Sequence, residues 1–342
     1  MIEERASSEA DVSSTTAAAL TPPRPWEREA SWQSGLVGTA LRMTLRPIMH
    51  RVPGRPLPIR AARKAIDRAA TLLPSDRRVR VERVRDPQLT SGQIMKAEWI
   101  IPEAPVDGAV LYLHGGGYVI CSPATHRPIT TRIALDTRLP VLVPRYRLAP
   151  EHPFPAALED ALEAYRWLLA KGVTRIIVAG DSAGGHLAAS LAGEISRTGM
   201  PAPLAVVLYS PWVDLTCELS TAIDHLTKDP YLSPYTARRV ARLVAGREND
   251  PRLALLTCDW GALPPILIQV GGAEVLRPES EALAALLTGT GAEVTLQVWP
   301  GQMHVFQILN RLLPDADEAM KETSAFITGA LATAAPNLTV VA

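Results

Sequence analysis

An α/β architecture, about eight mostly parallel strands flanked by helices, follows from two features of the sequence. Short apolar runs bounded by turn residues recur along the chain and alternate with stretches at helical spacing, the signature of repeated βαβ units. One of these runs, Ile176–Ala179, leads through Gly180-Asp181-Ser182-Ala183-Gly184 straight into a helix beginning near Gly185. Glycines on both sides of a serine suit a sharp strand-to-helix turn, where bulkier neighbours would collide with strand or helix.

The elements follow in order. Residues 1–30 are rich in Ala, Ser, Thr and Pro and poor in large aliphatics, as in a disordered tail. Leu36, Ala40, Met43 and Ile48 recur at roughly helical spacing, broken by Pro47. The few basic residues of 31–50 argue against a helix lying on a membrane surface. Residues 52–58 read as a linker, and Ala61–Leu73 as a short helix. Val79–Val84 and Ile94–Ile101 alternate as strands about the turn signals Asp86-Pro87 and Ser91-Gly92, a hairpin. Single strands are expected at Ala109–Leu113, Val141–Val143, Arg175–Ala179, Leu204–Leu208, Ile266–Val270 and Val294–Val298. Helices are expected at Ala156–Ala170, Gly185–Arg197, Ser280–Thr288 and Asp315–Leu331. Residues 211–262, with Pro211, Pro230, Pro234 and Pro251, interrupt this rhythm and read as an insertion between strands.

Composition narrows the function classes. Thirty-five Lys+Arg balance 35 Asp+Glu, which disfavours a nucleic-acid or anionic-membrane partner. Cys121, Cys217 and Cys258 are too few and too dispersed for a disulfide framework or a zinc site, so a reducing compartment is expected. The acidic start MIEERASSEA lacks the basic and apolar regions of a secretory signal, and no run approaches the ~20 apolar residues of a membrane span. The expectation is a soluble cytoplasmic protein, and a homodimer is compatible with it. Thirty prolines among 342 residues exceed the usual share of about 5%, pointing to many loops or to stiffened connections.

Three stretches carry chemistry. Ser182 has the position of an exposed nucleophile, with the free amides and positive dipole end of the following helix directed at whatever it attacks. His114-Gly115-Gly116-Gly117 ends the strand Ala109–Leu113, and bare glycine amides suit an anionic tetrahedral intermediate. Gly115 and Gly116, with Ala183, are the expected oxyanion donors. His114 reads as an anchor for that loop. Trp299-Pro300-Gly301-Gln302-Met303-His304 follows the last strand, so His304 lies at the carboxyl edge of the sheet, where α/β folds place their sites. Of the other histidines, His186 lies one turn into the elbow helix and faces packing. His126 and His152 follow loop prolines or caps, and His50 and His225 have no partner pattern. No pair has metal-ligand spacing, so neither metal nor cofactor is implied. Glu274 follows the strand ending at Val270 and supplies the carboxylate that a histidine base needs; Glu279, on the next helix, is its competitor.

Together these motifs resemble the hormone-sensitive-lipase-like family of esterases within the α/β-hydrolases. His114–Gly117, Tyr146-Arg147-Leu148-Ala149-Pro150-Glu151, the GDSAGG of 180–185 and Tyr209-Ser210-Pro211-Trp212 match in order and spacing, across roughly residues 75–330. The acid loop departs from the pattern: Ala273-Glu274-Val275-Leu276 stands where many members have aspartate, proline and leucine, and a subset resembling lactone hydrolases carries such a loop. The resemblance implies an α/β-hydrolase domain over 75–335 with a helical cap. Residues 31–74 would supply its N-terminal helices and part of 211–262 its second segment. The Tyr146–Glu151 stretch would hold the loop beneath the site. Tyr118 would either line the acyl pocket, as a substrate-binding residue, or pack beside it.

The implied activity is hydrolysis of small to medium carboxylic esters (EC 3.1.1 class) through a Ser182–His304–Glu274 triad. The same machinery serves lactones, amides and N-acetyl groups. A non-catalytic receptor on this scaffold would lack the triad histidine, and His304 is present.

Overall fold

The hairpin and the six single strands form one eight-stranded sheet in a computed structural model that describes residues 24–50, 56–71, 76–86, 95–227, 229–246 and 250–334. The strands are β1 (Val79–Asp86), β2 (Met95–Pro102), β3 (Ala109–Leu113), β4 (Val141–Pro144), β5 (Ile176–Asp181), β6 (Ala205–Tyr209), β7 (Ile266–Gly271) and β8 (Val294–Trp299), in the order β1-β2-β4-β3-β5-β6-β7-β8. The β1–β2 and β2–β4 pairs are antiparallel; every pair from β4 to β8 is parallel. The turn signals between the hairpin strands lie outside the described residues.

Both faces of the sheet are covered, and the pleat sorts the side chains between them. Leu111, Leu113 and Val178 pack with α4 (Ala156–Ala170), α5 (Ala183–Thr198) and α8 (Arg277–Gly289). Val110, Tyr112 and Ile177 pack with α3 (Arg127–Thr137) and α9 (Pro314–Thr333) on the opposite face. Continuous apolar strands are the expected result of burial on two sides. Burying a Leu or Val of this kind is worth about 1.5–3 kcal/mol.

Among the described residues, four helices lie outside this sandwich: α1 (Trp32–His50), α2 (Pro56–Thr71) and, between β6 and β7, the short α6 (Glu218–Ile223) and α7 (Pro234–Ala245). Much of the proline excess has a simple place. Pro128, Pro234, Pro278 and Pro314 occupy the first turns of α3, α7, α8 and α9, and Pro56 begins α2. A first-turn N–H has no helical acceptor, and the fixed proline φ is already helical.

Three expectations change. The helix at 31–50 is not broken at Pro47: α1 runs on to His50, because so near the C-terminus the missing N–H weakens only a last turn. The linker expected at 52–58 already contains the start of α2 at Pro56. The tail expected over 1–30 falls outside the described residues up to 23, but 24–30 is ordered. Trp26 packs against Trp299 with ring centroids 6.3 Å apart, an aromatic anchor that the average composition conceals. Just beyond, the Ser34 hydroxyl donates to Gln302 Oε1 at 3.1 Å and Asp315 Oδ2 at 2.8 Å. The start of the helical chain is thereby fastened beside the predicted histidine loop.

Candidate active site

The turn after β5 is as sharp as its glycines suggest. Ser182 has φ 53° and ψ −122°, a region costly for a residue with a Cβ, by about 1–3 kcal/mol. Its surroundings hold it there: its N–H donates to Tyr209 O at 2.9 Å, and its carbonyl accepts from His186 and Trp212 N–H at 3.0 Å each. Gly184 lets the helix cross β3, since a Cβ there would stand 2.0 Å from Leu113 O.

His304 reaches this serine from the loop after β8, its Nε2 2.9 Å from Ser182 Oγ. On the other side, His304 Nδ1 lies 3.3 Å from Glu274 Oε1. Glu274 is fully buried. Its Oε2 accepts the Gly271 N–H at 3.0 Å and the Ser210 hydroxyl at 2.8 Å. Ser210 Oγ also accepts the Val305 N–H at 3.1 Å, so one serine ties the acid to the histidine loop. Glu279, the competing acid, is committed elsewhere: its Oε2 accepts the N–H groups of Val213 and Asp214 at 2.8 and 2.9 Å. Burial pushes its carboxyl well above the usual range.

The glycine loop corrects one assignment. The Gly115 N–H does not face the site; it donates to Asp181 Oδ1 at 3.0 Å, which also accepts the Tyr112 hydroxyl at 2.7 Å. His126 Nε2 lies 3.1 Å from the other oxygen of Asp181. Burial opposes ionisation of Asp181, yet the His126 charge and hydrogen bonds from His126 and Tyr112 hold its carboxyl below the usual value. Gly116 has φ +112°, which turns the next peptide over, and both Gly116 and Gly117 line the cavity beside Ser182. Among the described residues, the N–H groups of Gly116, Gly117 and Ala183 meet no protein acceptor.

Tyr118 is a second correction. It is buried and does not line the cavity. Its hydroxyl is instead 2.8 Å from His186 Nδ1, while His186 Nε2 lies 3.1 Å from Leu253 O. One acceptor nitrogen and one donor nitrogen define a neutral imidazole, and burial lowers the His186 pKa to about 4. Tyr118 has φ 61°, so the chain turns sharply there and carries the side chain beneath the loop. His114 is an anchor, stacked on Tyr146 at 4.3 Å between centroids and lowered by burial to about 3.

The cavity above Ser182 and His304 measures about 400 Å³. Its wall is mostly apolar: Ile59 and Ile66 come from α2, Val240 and Leu243 from α7, and Trp212 and Ile308 from neighbouring loops. Arg63 of α2 donates to Val119 O and Ala149 O and pairs with Glu151 at 2.9 Å, which clamps α2 over the glycine loop. Glu151 closes the Tyr146–Glu151 stretch, and Tyr146 donates its hydroxyl to His114 O. Cys121 also lines the cavity, but burial pushes its thiol to about 12, so it offers no thiolate.

Ser210 and the Asp181–His126 pair went unassigned in the sequence. Ser210 sits inside the Tyr209–Trp212 motif, which was the available signal; His126 has none, because Asp181 is 55 residues away along the chain. Among the described residues no group of three or more His, Cys, Asp or Glu is arranged to hold a metal, and no helix is long and apolar enough to cross a membrane.

Comparison with known proteins bears on the fold and the family. The α/β-hydrolase fold family matches residues 110–308. An acetyl-hydrolase of Streptomyces hygroscopicus is 39% identical over 68% of this chain and 79% of its own. The esterase LipU of Mycobacterium tuberculosis is 35% identical over 77% of this chain and 91% of its own. A crystal structure of an esterase from the bacterial hormone-sensitive lipase family superposes with a TM-score of 0.78 at 34% identity, covering 89% of this chain and all of the other.

Proposed function

The chain belongs to the hormone-sensitive-lipase-like carboxylesterases of the α/β-hydrolase fold, and we propose that it cleaves esters of small to medium acyl chains with Ser182, His304 and Glu274. The observation that carries the reading is the linear array Ser182 Oγ, His304 Nε2 and Nδ1, and buried Glu274, with spacings of 2.9 and 3.3 Å. His304 Nε2 takes the Ser182 proton as Oγ attacks the ester carbonyl. Glu274 keeps the imidazole oriented and supports the imidazolium that forms. The amides of Gly116, Gly117 and Ala183 receive the oxyanion, each contributing about 3–4 kcal/mol to the transition state. The imidazolium protonates the leaving alkoxide and an acyl-enzyme remains. Water, deprotonated by His304, then releases the acid and restores Ser182.

Helices α1, α2 and α7 act as the cap. The apolar wall and its volume of about 400 Å³ support acyl chains of modest length. A relative named acetyl-hydrolase supports the short end of that range. Ser182→Ala is expected to lower kcat on p-nitrophenyl butyrate by about 10⁵–10⁶-fold. Wild-type turnover in that variant overturns the assignment, and a preference for palmitate across a p-nitrophenyl series overturns the chain-length claim.

A further inference from the structure

The insertion that supplies α7 also reaches both loops that carry the base and its acid. Asp229 lies just before α7 and is fully buried. One carboxylate oxygen, Oδ1, accepts the N–H groups of Tyr231 at 2.9 Å and Leu232 at 2.7 Å, closing a local turn. The other, Oδ2, accepts the N–H of Val275 at 3.0 Å, and Val275 directly follows Glu274. Two residues on, the Tyr231 hydroxyl donates to the backbone carbonyl of His304, and its ring centroid is 5.8 Å from the imidazole. A single short segment therefore grips the acid loop with one residue and the histidine with another.

A local turn alone does not require this arrangement. Asn or Ser closes the same turn through a neutral oxygen, without the cost of burying a charge. No Lys or Arg among the described residues forms an ion pair with Asp229, so backbone amides are what compensate it. The second oxygen is spent on the acid loop, whose main chain is also held from the β8 side, by Gly272 N–H on Trp299 O at 2.7 Å and Ala273 N–H on Gln302 O at 3.0 Å.

We propose that Asp229, together with Tyr231, is a positioning residue of the hydrolase, one that fixes the Glu274 and His304 loops relative to each other and ties the cap insertion to the triad. This rests on the triad reading above. The two are separable: wild-type protein that neither turns over an ester nor reacts at Ser182 with an organofluorophosphonate removes both, whereas a reactive wild type leaves Asp229 to be judged alone. Asp229→Asn keeps the size and one oxygen acceptor. Its kcat should fall about 10²-fold with KM nearly unchanged, the penalty for a base displaced by a fraction of an ångström to an ångström. Tyr231→Phe should fall by a smaller factor in the same direction. The downfield Nδ1–H resonance of His304 should shift or broaden in both variants. Measurement per labelled active site separates positioning from loss of folded protein. A folded Asp229→Asn with wild-type kcat per site and an unmoved resonance overturns the proposal. If Asp229→Asn does not fold, Tyr231→Phe decides, and wild-type values in that variant overturn it equally.

Discussion

The loops at the carboxyl edge of the sheet and the helices above them are built by different means. Around the proposed triad, polar groups are held from several sides: Glu274 by Ser210 and Gly271, Ser182 by Tyr209 and Trp212, and Asp181 by three donors. The proposed cap turns an apolar wall to the cavity and is fastened to the body at separate points, by Ser34, Arg63, Asp229 and Tyr231. It leaves Trp32, Met43 and Tyr235 largely in solvent, at 74%, 76% and 65% exposure. The difference separates two tasks. The reaction needs atoms fixed to fractions of an ångström, so its supports are redundant; accommodating an acyl chain needs an apolar wall, which helices fastened at a few separate points supply.

That division can be broken at its strong end first. Glu274→Gln preserves shape and burial but removes the charge that orients His304. Its kcat should fall about 10³–10⁴-fold with little change in KM. A loss under tenfold in purified, folded enzyme would show that the redundancy around the triad does not depend on its acid. Arg63→Met keeps the apolar stem and removes the clamp on Val119, Ala149 and Glu151. Stability should drop by about 1–3 kcal/mol in urea melts, with KM for longer acyl chains rising more than kcat falls. A collapse of kcat at constant KM would put the clamp with the catalytic machinery instead.

The smallest effect concerns His186, beneath the glycine loop. Burial places its folded pKa at about 4, below the ordinary value of 6.5. The unfolded chain therefore binds a proton that the native state does not between those values, and stability is lost as pH falls from about 6.5 toward 4. The slope is about 1.4 kcal/mol per pH unit for each such proton. His114 acts in the same sense down to about 3, whereas the raised carboxyls of Glu279 and Asp229 oppose it. Comparing His186→Gln with wild type cancels those shared terms. The variant should show a shallower fall in stability between pH 6.5 and 4; parallel curves would mean His186 is not held neutral by the fold.

What could be read from the sequence was whatever short-range chemistry dictates. Val110 and Ile177 announce buried strands by their neighbours, and Ser182, Glu274 and His304 stand just beyond strand ends where their type is already informative. In the glycine loop only Gly115 was misread, because the direction of its N–H depends on Asp181, which arrives from another strand. Tyr118 turns inward through its own positive φ to meet His186, 68 residues further along the chain. Helix α3 went unnoticed among Pro123 and Pro128, although Ile129 and Ile133 form its buried stripe. Asp229 offered no signal at all: its partner Val275 is 46 residues away, and only the folded chain brings them together.

The Ser34 link to Gln302 and Asp315 bears on how such enzymes can be recombined. A cap is an attractive cassette to exchange between relatives in search of new substrate ranges. Here the cassette has its sockets in the body: Gln302 and Asp315 receive the first helix, while Val275 and the His304 carbonyl receive the insertion. Chimeras cut at the ends of the cap segments alone would inherit a plug without its socket. Crossovers that carry the β8–α9 loop with the first turn of α9, and the acid loop, along with the foreign cap would preserve both.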